Sequence, residues 1–116
     1  MFYIDSLSDV PIYSQIRNGI VGEIASGRLK NGDELPSIRQ FAKDFEVNPM
    51  TVNKAYTILK QEKFIEIDRR IGAIVSVKCD EEIIGNIFQD LKTVITEAKA
   101  RGLDKESILG LIERGI

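Results

Sequence analysis

One stretch constrains this chain more than any other: Leu35 to Gln61, LPSIRQFAKDFEVNPMTVNKAYTILKQ, which holds two helix starts separated by a tight turn. Pro36 restricts Leu35 to an extended conformation, and Ser37 can cap a helix beginning at Ile38, with Ile38, Phe41, Ala42 and Phe45 on one face. Asn48 is a strong N-cap residue, and Pro49 suits the first helical position through its fixed φ and missing N–H. Val52, Ala55, Tyr56 and Leu59 then recur at inward-facing spacing, with Ala55 small enough to let two helices approach. That leaves Met50, Thr51, Asn53, Lys54 and Thr57 outward. Two short helices joined through Glu46-Val47-Asn48, the second with a polar and basic N-terminal end, match the way a helix-turn-helix presents side chains to the major groove. Spacing alone is also compatible with a helical hairpin inside a core.

The flanking segments decide between these readings. After the second helix, Phe64 to Asp68 and Ala73 to Val77 alternate β-branched residues on either side of Arg69-Arg70-Ile71-Gly72, which predicts a two-stranded hairpin with a basic tip. A hairpin directly after a helix-turn-helix is a wing, and its arginines are placed to reach phosphates or an adjacent minor groove. Upstream, a helix is expected from about Pro11 to Ser26, with Ile12, Ile16, Ile20, Val21 and Ile24 as its apolar stripe and Ser8 or Asp9 as its cap. The Asn31-Gly32-Asp33 sequence marks a turn in the connector, and Leu29 and Leu35 pin that connector to the core.

Composition narrows the function. The chain has no histidine and one cysteine among 116 residues, so a Cys/His zinc site, an intramolecular disulfide and histidine-based catalysis are all excluded. No enzyme, metal or cofactor is expected. The net charge of −2 is unevenly placed: residues 1–79 carry 11 Lys and Arg against 10 Asp and Glu, and residues 80–116 carry 5 against 8. Binding to phosphates depends on local potential, so the acidic total does not count against it. No apolar run is long enough to span a membrane and the opening MFYIDSLSD lacks a basic region leading into an apolar one, so a cytoplasmic protein without a membrane partner is expected.

From Asp80 to about Arg101 the pattern becomes a long amphipathic helix. Ile84, Ile87, Leu91, Val94 and Ala98 form a heptad-like seam, and Ile83, Phe88 and Ile95 widen it. Gly102 ends this helix, Asp104 can cap a short last one, and Ile108, Leu109, Leu111 and Ile112 give that one an apolar side. The apolar surface suggests a homodimer interface built from Ile84, Ile87, Phe88, Leu91, Val94, Ile95, Ile108, Leu111 and Ile112. The alternative is that both helices fold back on their own domain. The expected architecture is mainly α with a small β wing: a winged helix-turn-helix over residues 1–78, then a two-helix dimerisation element over 79–116.

The runs PIYSQI (Pro11 to Ile16), GRLKNGDELPSIR (Gly27 to Arg39) and VNPMTVNKAY (Val47 to Tyr56), with the wing through Gly72, resemble the winged helix-turn-helix of the GntR family of bacterial regulators. The short two-helix tail and the Asn-Pro-x-Thr-Val start of the reading helix resemble its YtrA subfamily. The resemblance implies a dimeric transcription factor, usually a repressor, on an inverted-repeat operator, often controlling its own operon and transporter genes, with any small-molecule effector unidentified. It carries DNA contact to Arg39, Asn48, Thr51, Asn53 and Gly72; the reading of the residues adds Lys43, Met50, Lys54, Arg69 and Arg70. Three departures from the family pattern matter. Pro49 and Asn53 stand where many relatives have arginine, and Asn53 favours adenine over guanine. Lys63 stands where the family usually has a glycine, and a left-handed conformation there costs roughly 1 kcal/mol. The wing reads Arg70-Ile71-Gly72-Ala73 rather than the commoner Arg-Gly-x-Gly, which makes its tip less flexible.

The competing reading is a winged-helix module that binds a protein partner. Cys79 is expected to be a buried, inert thiol, with redox or ligand sensing as the alternative.

Overall fold

The computed structural model describes residues 2–116, and among them α1 (Ile12–Ala25), α2 (Ile38–Phe45), α3 (Pro49–Gln61), β1 (Ile65–Asp68), β2 (Gly72–Val75), α4 (Glu81–Ala100) and α5 (Lys105–Gly115) follow in that order. The chain divides into two units, one ending at Lys78 and the other spanning Cys79–Ile116.

The first helix departs from the expected start. Pro11 takes the N-cap position and no side chain caps α1. Ser8 and Asp5 are committed to the arm's own turns: Ser8 Oγ accepts from the Val10 amide at 3.1 Å, and Asp5 Oδ1 from the Leu7 amide at 3.0 Å. A Gln15 carboxamide clamp then fixes the arm to α1. Its oxygen accepts from the Asp5 amide at 2.8 Å, and its nitrogen donates to the Asp5 and Val10 carbonyls, each at 2.9 Å. Gly19 leaves room for the arm to lie flat, since a Cβ there would stand 2.3 Å from the Phe2 ring. Phe2 stacks on Phe45 at 5.4 Å, and Phe45 on Phe41 at 4.2 Å. Aromatic pairs at such separations add about 0.5–1.5 kcal/mol beyond the area they bury.

The helix-turn-helix forms for the local reasons its sequence supplies. Ser37 Oγ accepts from the Gln40 amide at 3.0 Å, and Asn48 Oδ1 accepts from the Met50 amide at 2.8 Å with Pro49 at the first helical position. Between them Glu46 adopts a left-handed conformation, φ 54°, and its amide closes on the Ala42 carbonyl. The core gathers Ile16 and Ile20 of α1, Phe41 and Ala42 of α2, Val52, Ala55, Tyr56 and Leu59 of α3, and Leu35, Ile65, Ala73 and Val75 around the wing. Ala55 is fully buried, as close helix packing requires. Tyr56 keeps its phenol satisfied by donating to the Pro36 carbonyl at 2.7 Å, and burial pushes its pKa up. Glu23, a buried acid on α1, is paired with Arg28 at 2.7 Å, and this bond holds its carboxyl below the ordinary value.

The wing's strands are shorter than its sequence suggests: Phe64 lies before β1, and Ser76 and Val77 lie beyond β2. β1 and β2 pair antiparallel from Ile65↔Val75 to Asp68↔Gly72. The connector before α2 runs along the other edge of β2: Leu35 donates to the Ala73 carbonyl, Gly32 to the Val75 carbonyl, and Val75 to the Asp33 carbonyl, all at 2.8 Å, while Glu34 bridges Ile74. The segment read as a turn thus also pairs with the free edge of β2 through one isolated bridge. Gly72 is the first residue of β2 rather than part of the turn, and its φ of +100° suits glycine. Lys63 has φ 66°, so the expected left-handed lysine is present between α3 and β1. Arg17 of α1 joins the same end by donating to Glu62 at 2.9 Å and lying 5.4 Å over the Phe64 ring.

In the second unit, Asp80 caps α4 by accepting from the Ile83 amide at 2.9 Å, and Asp104 caps α5 by accepting from the Ser107 amide at 2.8 Å. Glu81 and Glu82 lie in the first turn of α4 and Lys99 in its last, complementing the helix dipole. No helix among the described residues is long and apolar enough to cross a membrane.

Candidate nucleic-acid interface

Helix α3 packs against both α2 and β1, so the three segments read as contact surfaces are assembled around one helix. On α3, Met50 is 80% exposed, and Asn53 and Lys54 are also exposed. Thr51 is half-buried rather than fully outward, and its amide bonds the Asn48 carbonyl at 3.0 Å in the first turn of α3. Asn48 is exposed, but its oxygen is occupied by the cap; its amide nitrogen is the group left to donate outward. Thr57 returns its hydroxyl to the Asn53 carbonyl at 2.8 Å, which leaves the Asn53 carboxamide outside that bond.

The flanking cations fall into two groups. Arg39 and Lys43 of α2 and Arg69 of the wing tip are exposed, and among the described residues no carboxylate pairs with them. Arg70 lies 3.9 Å from Asp68 Oδ1 with its side chain 90% exposed, an arrangement worth at most about 1 kcal/mol and easily given up. The Asp68 carboxylate mainly serves the turn, accepting from the Arg70 amide at 2.7 Å. Lys54 is tethered: its Nζ sits 3.9 Å from the centroid of the Tyr13 ring on α1. Nothing in the spacing of α3 anticipated that partner, since Tyr13 lies in a different helix.

On the second unit, Ile84, Ile87, Phe88, Leu91 and Val94 of α4 and Leu111 and Ile112 of α5 are exposed, and Ile95 is half-buried. Ile108 differs. It is buried, and with Ile95, Leu103 and Ile112 it lines a pocket within its own unit. Cys79 corrects its expectation: the thiol is exposed, in the irregular segment between β2 and α4 rather than on the buried face of an element. Among the described residues no group of His, Cys, Asp or Glu is placed to hold a metal ion.

A helix pair with a capped polar second helix, followed at once by a basic-tipped hairpin whose sheet is completed from upstream, defines a winged helix-turn-helix of the DNA-binding class. The profile of the Bacterial regulatory proteins, gntR family, matches residues 12–75, from the start of α1 to the end of β2. The chain belongs to that GntR family, and its relatives include YtrA-type regulators. It is 35% identical over 112 residues to the HTH-type transcriptional repressor YtrA of Bacillus subtilis, covering 93% of this chain and 86% of the relative. Among solved structures it is similar to YtrA from Sulfolobus acidocaldarius, a GntR-family transcription factor, at 41% identity and TM-score 0.67, covering 97% of this chain and 94% of that one. It is also similar to a transcriptional antiterminator from Listeria monocytogenes at 31% identity and TM-score 0.85, covering 98% and 88%. The protein is a DNA-binding transcriptional regulator.

Proposed function

We propose that the protein represses transcription as a homodimer on an inverted-repeat operator, with residues 1–78 reading DNA and residues 79–116 joining the two copies. One observation carries the reading. Met50, Asn53 and Lys54 of α3 are exposed, and so are Arg39 and Lys43 of α2, which packs against α3, and Arg69 of the wing tip, none of these three cations being paired with a carboxylate among the described residues. Cations kept free of carboxylates are available to phosphates without first breaking an ion pair.

Within this reading Arg39 and Lys43 hold phosphates on one side of the groove, and Arg69 and Arg70 do so at the wing tip, where the positive φ of Gly72 shapes the approach. Asn53 reads a base edge and favours adenine, Met50 meets an apolar edge such as a thymine methyl, and Thr51 and the Asn48 amide contact the backbone nearby. The exposed apolar seam of α4, extended by Leu111 and Ile112, supports the dimer, because a reader gains affinity from two tethered half-sites. The relative named as a repressor supports the sign of regulation. Control of transporter genes and response to a small ligand complete the reading on the strength of the family resemblance.

Arg39→Ala and Asn53→Ala, each measured by fluorescence anisotropy on selected and on random duplexes across salt, test it together. Arg39→Ala is expected to weaken both duplexes alike and to reduce the salt slope by about one phosphate contact, whereas Asn53→Ala costs about 1–3 kcal/mol on the selected duplex alone. Equal losses on both duplexes for Asn53→Ala would remove its reading role.

A further inference from the structure

The Tyr13–Lys54 contact stands apart from the rest of the first unit. Lys54 is exposed on the reading helix, yet its ammonium is not left to wander: Nζ lies 3.9 Å from the centroid of a ring presented by α1. Tyr13 is half-buried, and no hydrogen bond engages its hydroxyl among the described residues, so the ring face is the part of the side chain that makes a polar contact. A lysine of four rotatable bonds loses substantial freedom when it docks on a phosphate. An ammonium seated on an aromatic face has lost part of that freedom already, and it still directs N–H groups away from the ring.

We infer that Tyr13 is a positioning residue for DNA binding: its ring holds the Lys54 ammonium in the pose that meets a backbone phosphate. This rests on the reading that Lys54 contacts DNA. The α1 helix thereby contributes to the interface through a side chain that need not touch the nucleic acid. Because the contact is to phosphate, it acts on affinity for any sequence and leaves base preference alone.

The test is a double-mutant cycle of Tyr13→Leu and Lys54→Met on a random-sequence duplex at several salt concentrations, with Tyr13→Phe as the conservative variant. Lys54→Met is expected to lower the salt slope by about one contact; an unchanged slope means that Lys54 does not meet a phosphate, and the reading beneath the inference fails. With that slope change in hand, Tyr13→Leu is expected to weaken binding about threefold when Lys54 is present, to have no effect in the Lys54→Met background, and to be rescued by Tyr13→Phe, which keeps the ring face. Equal loss in both backgrounds assigns Tyr13 a merely structural role and overturns the inference. So does tighter binding by Tyr13→Leu, which would mean that the ring holds the ammonium away from DNA. A second readout uses the unmodified sequence: with the ammonium 3.9 Å from the ring centroid, the Lys54 ε-methylene protons are expected to be shifted upfield, and that shift to persist when the duplex is added. Its disappearance on binding also contradicts the inference.

Discussion

Lys63 carries the clearest local conflict in the chain, a non-glycine residue at φ 66° in the link between reading helix and wing. The left-handed region brings Cβ against the following carbonyl, and the penalty is offset by the bonds that fix the link: the Lys63 amide reaches the Lys60 carbonyl at 3.1 Å and the Phe64 amide reaches the Leu59 carbonyl at 2.9 Å. Lys63→Gly keeps those bonds and removes the clash, while giving the unfolded chain more freedom. We expect a net gain of about 0.5–1 kcal/mol, read as a higher urea midpoint with an unchanged slope. A lower midpoint would show that the lysine stem contributes packing that outweighs its backbone strain. Glu46, at φ 54°, poses the same question at the turn between α2 and α3.

At the scale of elements, caps decide where helices begin, and their side chains titrate. The Ser107 amide, donating to Asp104 at 2.8 Å, holds the Asp104 carboxyl below its ordinary value. A depressed folded pKa means a contribution to stability that is present above the unfolded pKa and lost as pH falls through the folded one. The first turn of α5 is therefore expected to lose amide-exchange protection at Ser107 and Ile108 as the solution is acidified through the carboxylate range. Asp104→Asn, which caps without titrating, should abolish that dependence; a dependence that survives in the variant would locate its source elsewhere. These caps were legible in the sequence because they are local. Ser37, Asn48-Pro49 and Asp104 each act on an amide two or three residues away, whereas Asp80, placed at the start of α4 by its sequence, turns out to be its cap. What escaped sequence reading is long-range: the Gln15 clamp that fixes the arm to an uncapped α1, the connector that pairs with β2, and Tyr13 against Lys54. Cys79 escaped for a related reason, since free cysteines are usually buried and only the packing around a position reveals an exception.

At the scale of the whole molecule, the proposed dimer rests on the exposed apolar seam of α4. Leu91 lies mid-helix in α4 and is 48% exposed, between Ile87, Phe88 and Val94, which are exposed as well. A carboxylate at that position would be buried without a partner in a dimer and harmlessly solvated in a monomer. Leu91→Asp is expected to sediment as a monomer with its helicity retained, and its DNA affinity should fall toward that of a single half-site. A dimer unchanged in sedimentation would move the interface off the α4 seam. Both units have to act for the proposed regulator to work, and one measurement addresses them together: selection of bound sequences from a random duplex library by the full chain. The account predicts an inverted repeat whose half-sites lie about one helical turn apart, the signature of two reading helices related by a two-fold axis. Enrichment of a lone half-site, of a direct repeat, or of no sequence at all would contradict it.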